Sequence, residues 1–228
     1  STMLSVLRGA GGGLEEIDMA APPPAESLVW IDLHGPTTEE ERWVERLLDI
    51  EVPTRQEMAE IEESARLYTD KDAVVLTTVL IEGFSEHRPA RTQVTFVLTP
   101  SHLVTVRYAD PVPFRTGVSK LQRQSEPRSA HAILTLLLET IVARIADMCE
   151  AIASDLNEIS HRLFIDDRVS RKSPSRAELD LQVTIRRLGR KRTVIAMLRE
   201  TIISHTRAIT FLRAAAPGHL SREAIERL

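Results

Sequence analysis

The stretch SAHAILTLLLETIVARIADMCEAIASDLNEISHRLF, residues 129–164, decides the fold. In it Leu134, Leu138, Ile141, Ile145, Met148, Ile152, Leu156, Ile159 and Leu163 recur at steps of four and three, with one additional four-step across Met148, Ile152 and Leu156. Residues 176–212 repeat the device as Thr184, Leu188, Lys191, Ile195, Leu198, Ile202, His205, Ile209 and Leu212. Such spacing keeps one apolar seam along one side of a helix. Ser, Pro and paired charges between Ser160 and Ser175 supply a turn, so the two stretches predict a long antiparallel helical hairpin. Helices of about 35 residues reach roughly 50 Å, more than a compact domain needs.

Upstream of the hairpin the pattern changes to strands and short helices. Met3–Leu7 and Leu14–Met19 flank Gly9 and Gly11–Gly13, which predicts a β-hairpin with a loose turn. These glycines are not followed by the Lys-Ser/Thr pair of a phosphate-binding loop. Leu28–Leu33 reads as a strand covered on both faces. Thr37 and Thr38, with Glu40 and Glu41 three residues on, can open a helix that buries Trp43, Val44, Leu47 and Leu48 and stops near Ile50. Thr54 and Glu57 form a second capping box behind Pro53, predicting a helix with Met58, Ile61 and Ala65 on one face. Glu57, Glu60, Glu62 and Glu63 suit either a divalent cation or a solvated acidic face near a helix N-terminus. Ala73–Phe84, Thr92–Leu98 and His102–Tyr108 predict an antiparallel meander, and Pro111–Pro113 leads into a short helix ending near Gln124. The expected fold is therefore α+β, a mixed or antiparallel sheet flanked by helices and joined to the hairpin. Residues 1–125 would form the α/β part, 126–216 the hairpin of the same domain, and 217–228 the beginning of a further helix. A chain that stops inside a helix suggests truncation.

Composition narrows the function classes. The net charge of −4 divides unevenly: residues 1–119 carry 10 basic and 20 acidic side chains, residues 120–228 carry 19 and 13. Opposite signs in the two parts favour attraction between them or with a neighbouring copy. The single cysteine, Cys149, reads as a small buried hydrophobe in a reducing compartment. No run approaches the roughly 18 uninterrupted apolar residues of a membrane span, and Ser1-Thr2 before Met3 looks like an expression scar. The seven histidines show no metal-ligand spacing, His205 falls on the seam as a core histidine, and no nucleophile or nucleotide motif is present, so no enzymatic activity is expected. Arg186, Arg187, Arg190, Lys191 and Arg192 form a basic cluster without interleaved aromatics. It reads as a surface facing an acidic neighbour, not as a nucleic-acid site.

Two segments together resemble a known family. Val29-Trp30-Ile31-Asp32-Leu33, then a Pro-Thr-Thr-Glu-Glu helix start, and then the run from Val52-Pro53-Thr54-Arg55-Gln56-Glu57 through Ile61-Glu62-Glu63-Ser64-Ala65-Arg66-Leu67-Tyr68 resemble the N-terminal cytoplasmic region of the CorA family of divalent-cation transporters. The Leu-Leu-Leu-Glu-Thr opening of the first long helix, Ser154–Leu156, and the passage from Phe211-Leu212 through Pro217-Gly218 resemble it too. The resemblance implies a mixed sheet flanked by helices, a long hairpin, and a stalk helix leading to two membrane spans outside this chain. It implies a homopentamer that passes Mg²⁺, and often Co²⁺ or Ni²⁺, across the inner membrane. The Gly-Met-Asn tripeptide that marks the family's pore is absent from this sequence. It further implies metal sensing by the domain on the cytoplasmic face, with Asp72 as the carboxylate ahead of the long strand, Asp70 beside it, and Glu139 as a secondary acidic position. Asp70 and Asp72 equally suit a polar turn around Lys71. The zinc-transporting ZntB branch has the same architecture, and a stand-alone coiled-coil interaction module is the reading without a pore. Without most of the stalk, the chain is expected to be a monomer or weak oligomer in dilute solution.

Overall fold

The structure is a computed structural model that describes residues 3–8, 15–17, 21–60, 62–123, 129–164 and 174–215. Seven strands form one mixed sheet: β1 (Met3–Arg8), β2 (Glu15–Glu16), β3 (Leu28–His34), β4 (Leu67–Asp70), β5 (Ala73–Glu82), β6 (Ala90–Leu98) and β7 (Leu103–Arg107). Their spatial order is β2-β1-β3-β7-β6-β5-β4. Every pair is antiparallel except β3 and β7, which run parallel from Trp30 opposite Leu103 to His34 opposite Arg107. Between β3 and β4 come α1 (Thr38–Leu48), α2 (Arg55–Met58) and α3 (Glu63–Arg66); after β7 come α4 (Val112–Gln122), α5 (Ala130–Phe164) and α6 (Pro174–Ala215). The expected Gly-rich turn at 9–14, the end of the short helix at Gln124, and residues 217–228 lie outside the described residues.

Both capping boxes form. Glu40 N–H donates to Thr37 Oγ1, and Thr37 N–H donates to Glu40 Oε2 at 2.6 Å. Thr54 and Glu57 make the same reciprocal pair at the start of α2. Two of the orphan N–H groups of each helix end are thereby satisfied. In α1 Val44 is fully buried, while Trp43, Leu47 and Leu48 are half-buried. Asp49, with φ 52°, ends the helix in a left-handed cap.

The single helix expected from Thr54 to Ala65 is instead two separate turns, α2 and α3, followed by a strand that the sequence reading did not anticipate. The capping box fixes only the first turn, and Met58 is the only residue of α2 that is buried. Leu67–Asp70 then gains a full antiparallel register with Leu76–Ala73, which holds that segment extended. Local capping sets where a helix starts, and packing sets how long it runs.

The sheet has a core on each face. Toward the helical hairpin, Trp30, Leu76, Leu80, Val94, Phe96 and Leu103 pack against α4, α5 and α6. On the other face Ile31, Leu33, Val75, Val97, Val104 and Val106 pack against α1 and α2. Alternation along each strand produces this division, so strands buried on both faces are apolar almost throughout. Phe96 and Phe114 stack with ring centroids 6.1 Å apart, and burying each such ring stabilises the fold by about 1.5–3 kcal/mol.

The long helices run antiparallel. Ile152 and Met148 on α5 meet Val194 and Leu198 on α6, Asp155 meets Lys191, and Glu158 meets Arg187. Two residues of the basic cluster, Arg187 and Lys191, thus face acids, and these acids belong to α5 of the same chain. The seam itself divides. Leu198, His205 and Leu212 turn inward, whereas Leu188, Ile195 and Ile202 are 39 %, 44 % and 42 % exposed. The reason is that α6 also leans along β5, so only part of its apolar surface can face α5. Cys149, expected to be buried, is exposed; it follows the seam residue Met148 and points off the packed stripe.

Candidate functional site

The metal-site residues expected from sequence lie in two places. Asp70 and Asp72 flank Lys71 at the tip of the β4–β5 hairpin, where Asp70 pairs with Ala73. Asp70 is half-buried and Asp72 exposed. Lys71 adopts φ 50°, a left-handed conformation natural to a tight hairpin turn. Glu139 lies on α5, half-buried between Leu138 and Thr140, with an interaction of its own. Among the described residues no three His, Cys, Asp or Glu side chains gather closely enough to hold a metal ion.

The hairpin tip is nonetheless strongly electronegative. Lys71 Nζ lies 2.8 Å from Asp49 Oδ1 and donates to the Asp49 carbonyl at 3.2 Å. The hydrogen bond to Asp49, with the charges of Asp49, Asp70 and Glu51, raises the Lys71 pKa above its usual value. Tyr68, two residues before Asp70 on β4, is pushed up by burial and then by Glu57, Glu51 and Asp70. Asp49 and Glu51 were not anticipated from sequence as part of this region. Only the left-handed turn that ends α1 brings them to the tip. Of the acidic run at 57–63, Glu57 is committed to its capping box, while Glu60 and Glu62 are exposed. The donors at the tip are carboxylates, hard oxygen ligands of the kind that bind Mg²⁺ through one or two oxygens plus retained water.

The Trp-Ile-Asp-Leu strand turns out to be structural. Trp30 Nε1–H donates to Thr105 Oγ1 at 3.0 Å, and Thr105 Oγ1–H donates to Asp32 Oδ1 at 2.6 Å. Arg107 donates to Asp32 from Nε and Nη2, and from Nη1 to the Ala109 carbonyl and Asp110 Oδ1. Its guanidinium also lies 4.9 Å from the centroid of Phe114. Burial pushes Asp110 up, but Arg115 and Arg107 outweigh that and hold its carboxyl below the usual range. His34 beside this network is held below its usual value by burial and by Arg107. The network pins the parallel β3–β7 pair to α4 and leaves no coordination site.

Comparison with known proteins agrees with this architecture. A family model described as "CorA-like Mg2+ transporter protein" matches residues 25–228. The magnesium transport protein CorA of Escherichia coli K12 is 30 % identical over 159 residues, covering 69 % of this chain and 50 % of the relative. Among solved structures, the complete CorA magnesium transporter of Methanocaldococcus jannaschii superposes with TM-score 0.70 at 13 % identity, covering 100 % of this chain and 68 % of that one. The soluble domain of the same protein gives 0.62 at 15 % identity, covering 98 % and 84 %. The ZntB cytoplasmic domain of Vibrio parahaemolyticus gives 0.61 at 15 % identity, covering 100 % and 88 %. A mixed sheet clad in helices, with a long helical hairpin as one of its layers, is the fold this chain has in common with the soluble domain of the Methanocaldococcus jannaschii protein. This chain belongs to the CorA-like Mg²⁺ transporter family. It spans half the length of its Escherichia coli relative, and among its described residues no helix is long and apolar enough to cross a membrane.

Proposed function

We propose that this chain is the cation-sensing domain of a homopentameric CorA-like transporter at the cytoplasmic face of the inner membrane. Its cargo is Mg²⁺, with Co²⁺ or Ni²⁺ as further substrates. The observation that carries the reading is the family match over residues 25–228. In this reading Asp72, helped by Asp70, contributes to a regulatory Mg²⁺ site, and Glu139 is a secondary acidic position. Asp49 is engaged by Lys71 and no three carboxylates of the described residues converge, so beyond Asp70 and Asp72 the remaining ligands come from a neighbouring copy and from water. A cation between facing carboxylates offsets their repulsion and draws the two copies together. Millimolar affinity is worth about −4 kcal/mol per site. Five such sites bias a pentamer toward the closed form, provided that the open form binds Mg²⁺ less well. The carboxylate donors at the tip favour Mg²⁺ over Zn²⁺, which draws on His and Cys more readily.

The test is Mg²⁺ inhibition of flux in the full-length transporter carrying Asp70→Ala and Asp72→Ala. The expected result is inhibition displaced to higher Mg²⁺ concentration with the fold intact. An unchanged inhibition curve removes both residues from sensing.

A further inference from the structure

The basic cluster of α6 is only partly explained by its acidic neighbours on α5. Lys191 and Arg187 turn toward Asp155 and Glu158, but Arg192 points to the other side of the helix. There it helps line a cavity of about 520 Å³ between α6 and the β4–β5 region. That volume lies within the range of small-molecule sites. Arg192, Arg199 and Arg207 on α6 and Arg66 at the end of α3 all line it. The lining holds one carboxylate, Glu200, and it is paired with Arg91. Arg66 is tied through Nε to the Glu60 carbonyl at 2.5 Å, which fixes it on the wall facing α6. The guanidinium groups of Arg192 and Arg199 make no hydrogen bond or ion pair with any described residue.

We infer that this cavity binds a soluble phosphate-bearing anion of nucleotide size. Three features support it. First, the excess of guanidinium over carboxylate leaves a positive field focused in a cleft, and guanidinium is the side chain best matched to phosphate oxygens. Second, Arg192 and Arg199 are two helical turns apart on one face, about 10 Å along the axis; a chain of phosphates suits that spacing better than a single one. Third, the cavity has a further donor and an apolar wall. Ser204 Oγ accepts from Val79 N–H, so its own O–H is left to donate. Ile195 and Ile203 add flat apolar surface of the kind a base or sugar would cover. An occupant held by Arg66 and the α6 arginines at once ties the long hairpin to the sheet, independently of any cation at the β4–β5 tip.

The test is calorimetric titration of the chain with ATP, inorganic tripolyphosphate and adenosine, at physiological salt and without divalent cations. Arg192→Gln/Arg199→Gln is compared with Arg190→Gln, which removes a charge from the same helix outside this cavity. The expected result is saturable one-to-one binding of ATP or tripolyphosphate, weakened about tenfold or more by the double substitution and little by Arg190→Gln. Tighter binding of ATP than of tripolyphosphate assigns a nucleotide; equal binding assigns a polyphosphate. Absence of saturable binding, equal loss in both variants, equal binding of adenosine, or capture by phosphatidylglycerol vesicles without binding of soluble anions overturns the inference.

Discussion

Arg107 grips Asp32 through two nitrogens, with Nη2 2.9 Å from Oδ2, and the two side chains are only 9 % and 4 % exposed. The pair joins adjacent parallel strands, β7 and β3, two residues out of direct register, since Asp32 lies opposite Thr105 and Arg107 opposite His34. Removing one member of a buried pair strands the other charge in a poor dielectric, at a cost of about 3–5 kcal/mol. Asp32→Ala should therefore lower stability by that order in urea unfolding. In the Asp32→Ala background, Arg107→Ala should cost much less than it does alone, because the stranded charge is gone. Additive losses in this double-mutant cycle would mean that the two residues do not act as a pair.

His205 makes the fold acid-sensitive. It is 2 % exposed on α6, and neither ring nitrogen has a partner of good geometry. Burial pushes its pKa down to about 4, slightly opposed by the nearby Leu138 backbone. The unfolded chain has the ordinary value near 6.5. Between these values the unfolded state binds a proton that the folded state refuses, so stability rises with pH across that window. The contribution is complete above pH 6.5, and about 3 kcal/mol of it is lost by pH 4. His205→Leu should flatten the pH dependence of unfolding between 4 and 6.5. At neutral pH it should be no less stable, because it removes a buried group without hydrogen bonds. A parallel pH profile in wild type and variant would contradict this.

Much of this architecture is legible in the sequence because its signals are local and periodic. The apolar runs of β3, β5, β6 and β7 read as strands, Thr37 and Thr54 read as caps, and the step of four and three reads as long helices. What stayed hidden depends on distant pairing. Leu67–Asp70 carries a weak strand signal and becomes β4 only because Leu76–Ala73 is there to receive it. The division of the α6 seam follows from β5 taking part of the helix's surface, which periodicity along one helix cannot show. At the candidate site, Asp70 and Asp72 were identified through family resemblance, and the acidic neighbours Asp49 and Glu51 emerged only from the turn that follows α1. The buried ion pair of Asp32 with Arg107 was likewise hidden, because its two members lie 75 residues apart in the chain.

Lys71 is the internal competitor of any cation at the hairpin tip. Its ammonium is held by Asp49 and sits in the field of Asp70 and Glu51. Under the proposed sensing role, Lys71→Gln removes a like charge from beside the incoming Mg²⁺ while keeping a side chain of similar length. The full-length transporter carrying it should close at lower Mg²⁺ than wild type, opposite in direction to Asp72→Ala. Because Lys71 and its partner Asp49 face solvent, stability should change little, as is usual for exposed ion pairs. Inhibition unchanged or shifted to higher Mg²⁺ would separate the tip from sensing.

Ser204 protects an open sheet edge. Pairing of β4 with β5 ends at Leu67 opposite Leu76, so from Thr77 onward β5 has no strand on that side among the described residues. An exposed edge of this kind invites pairing with other chains unless another element covers it. Here α6 lies against it, and Val79 N–H donates to Ser204 Oγ at 3.1 Å. Ser204→Ala leaves that half-buried N–H without an acceptor, a loss of about 1–3 kcal/mol, and opens room at the helix–strand contact. Ser204→Thr keeps the hydroxyl and should retain most of the stability. Amide exchange resolves the cause: at Val79 it should accelerate in Ser204→Ala beyond the change in global stability, and stay near wild type in Ser204→Thr. Equal exchange at Val79 in all three proteins would show that apolar packing of α6, not this hydrogen bond, guards the edge.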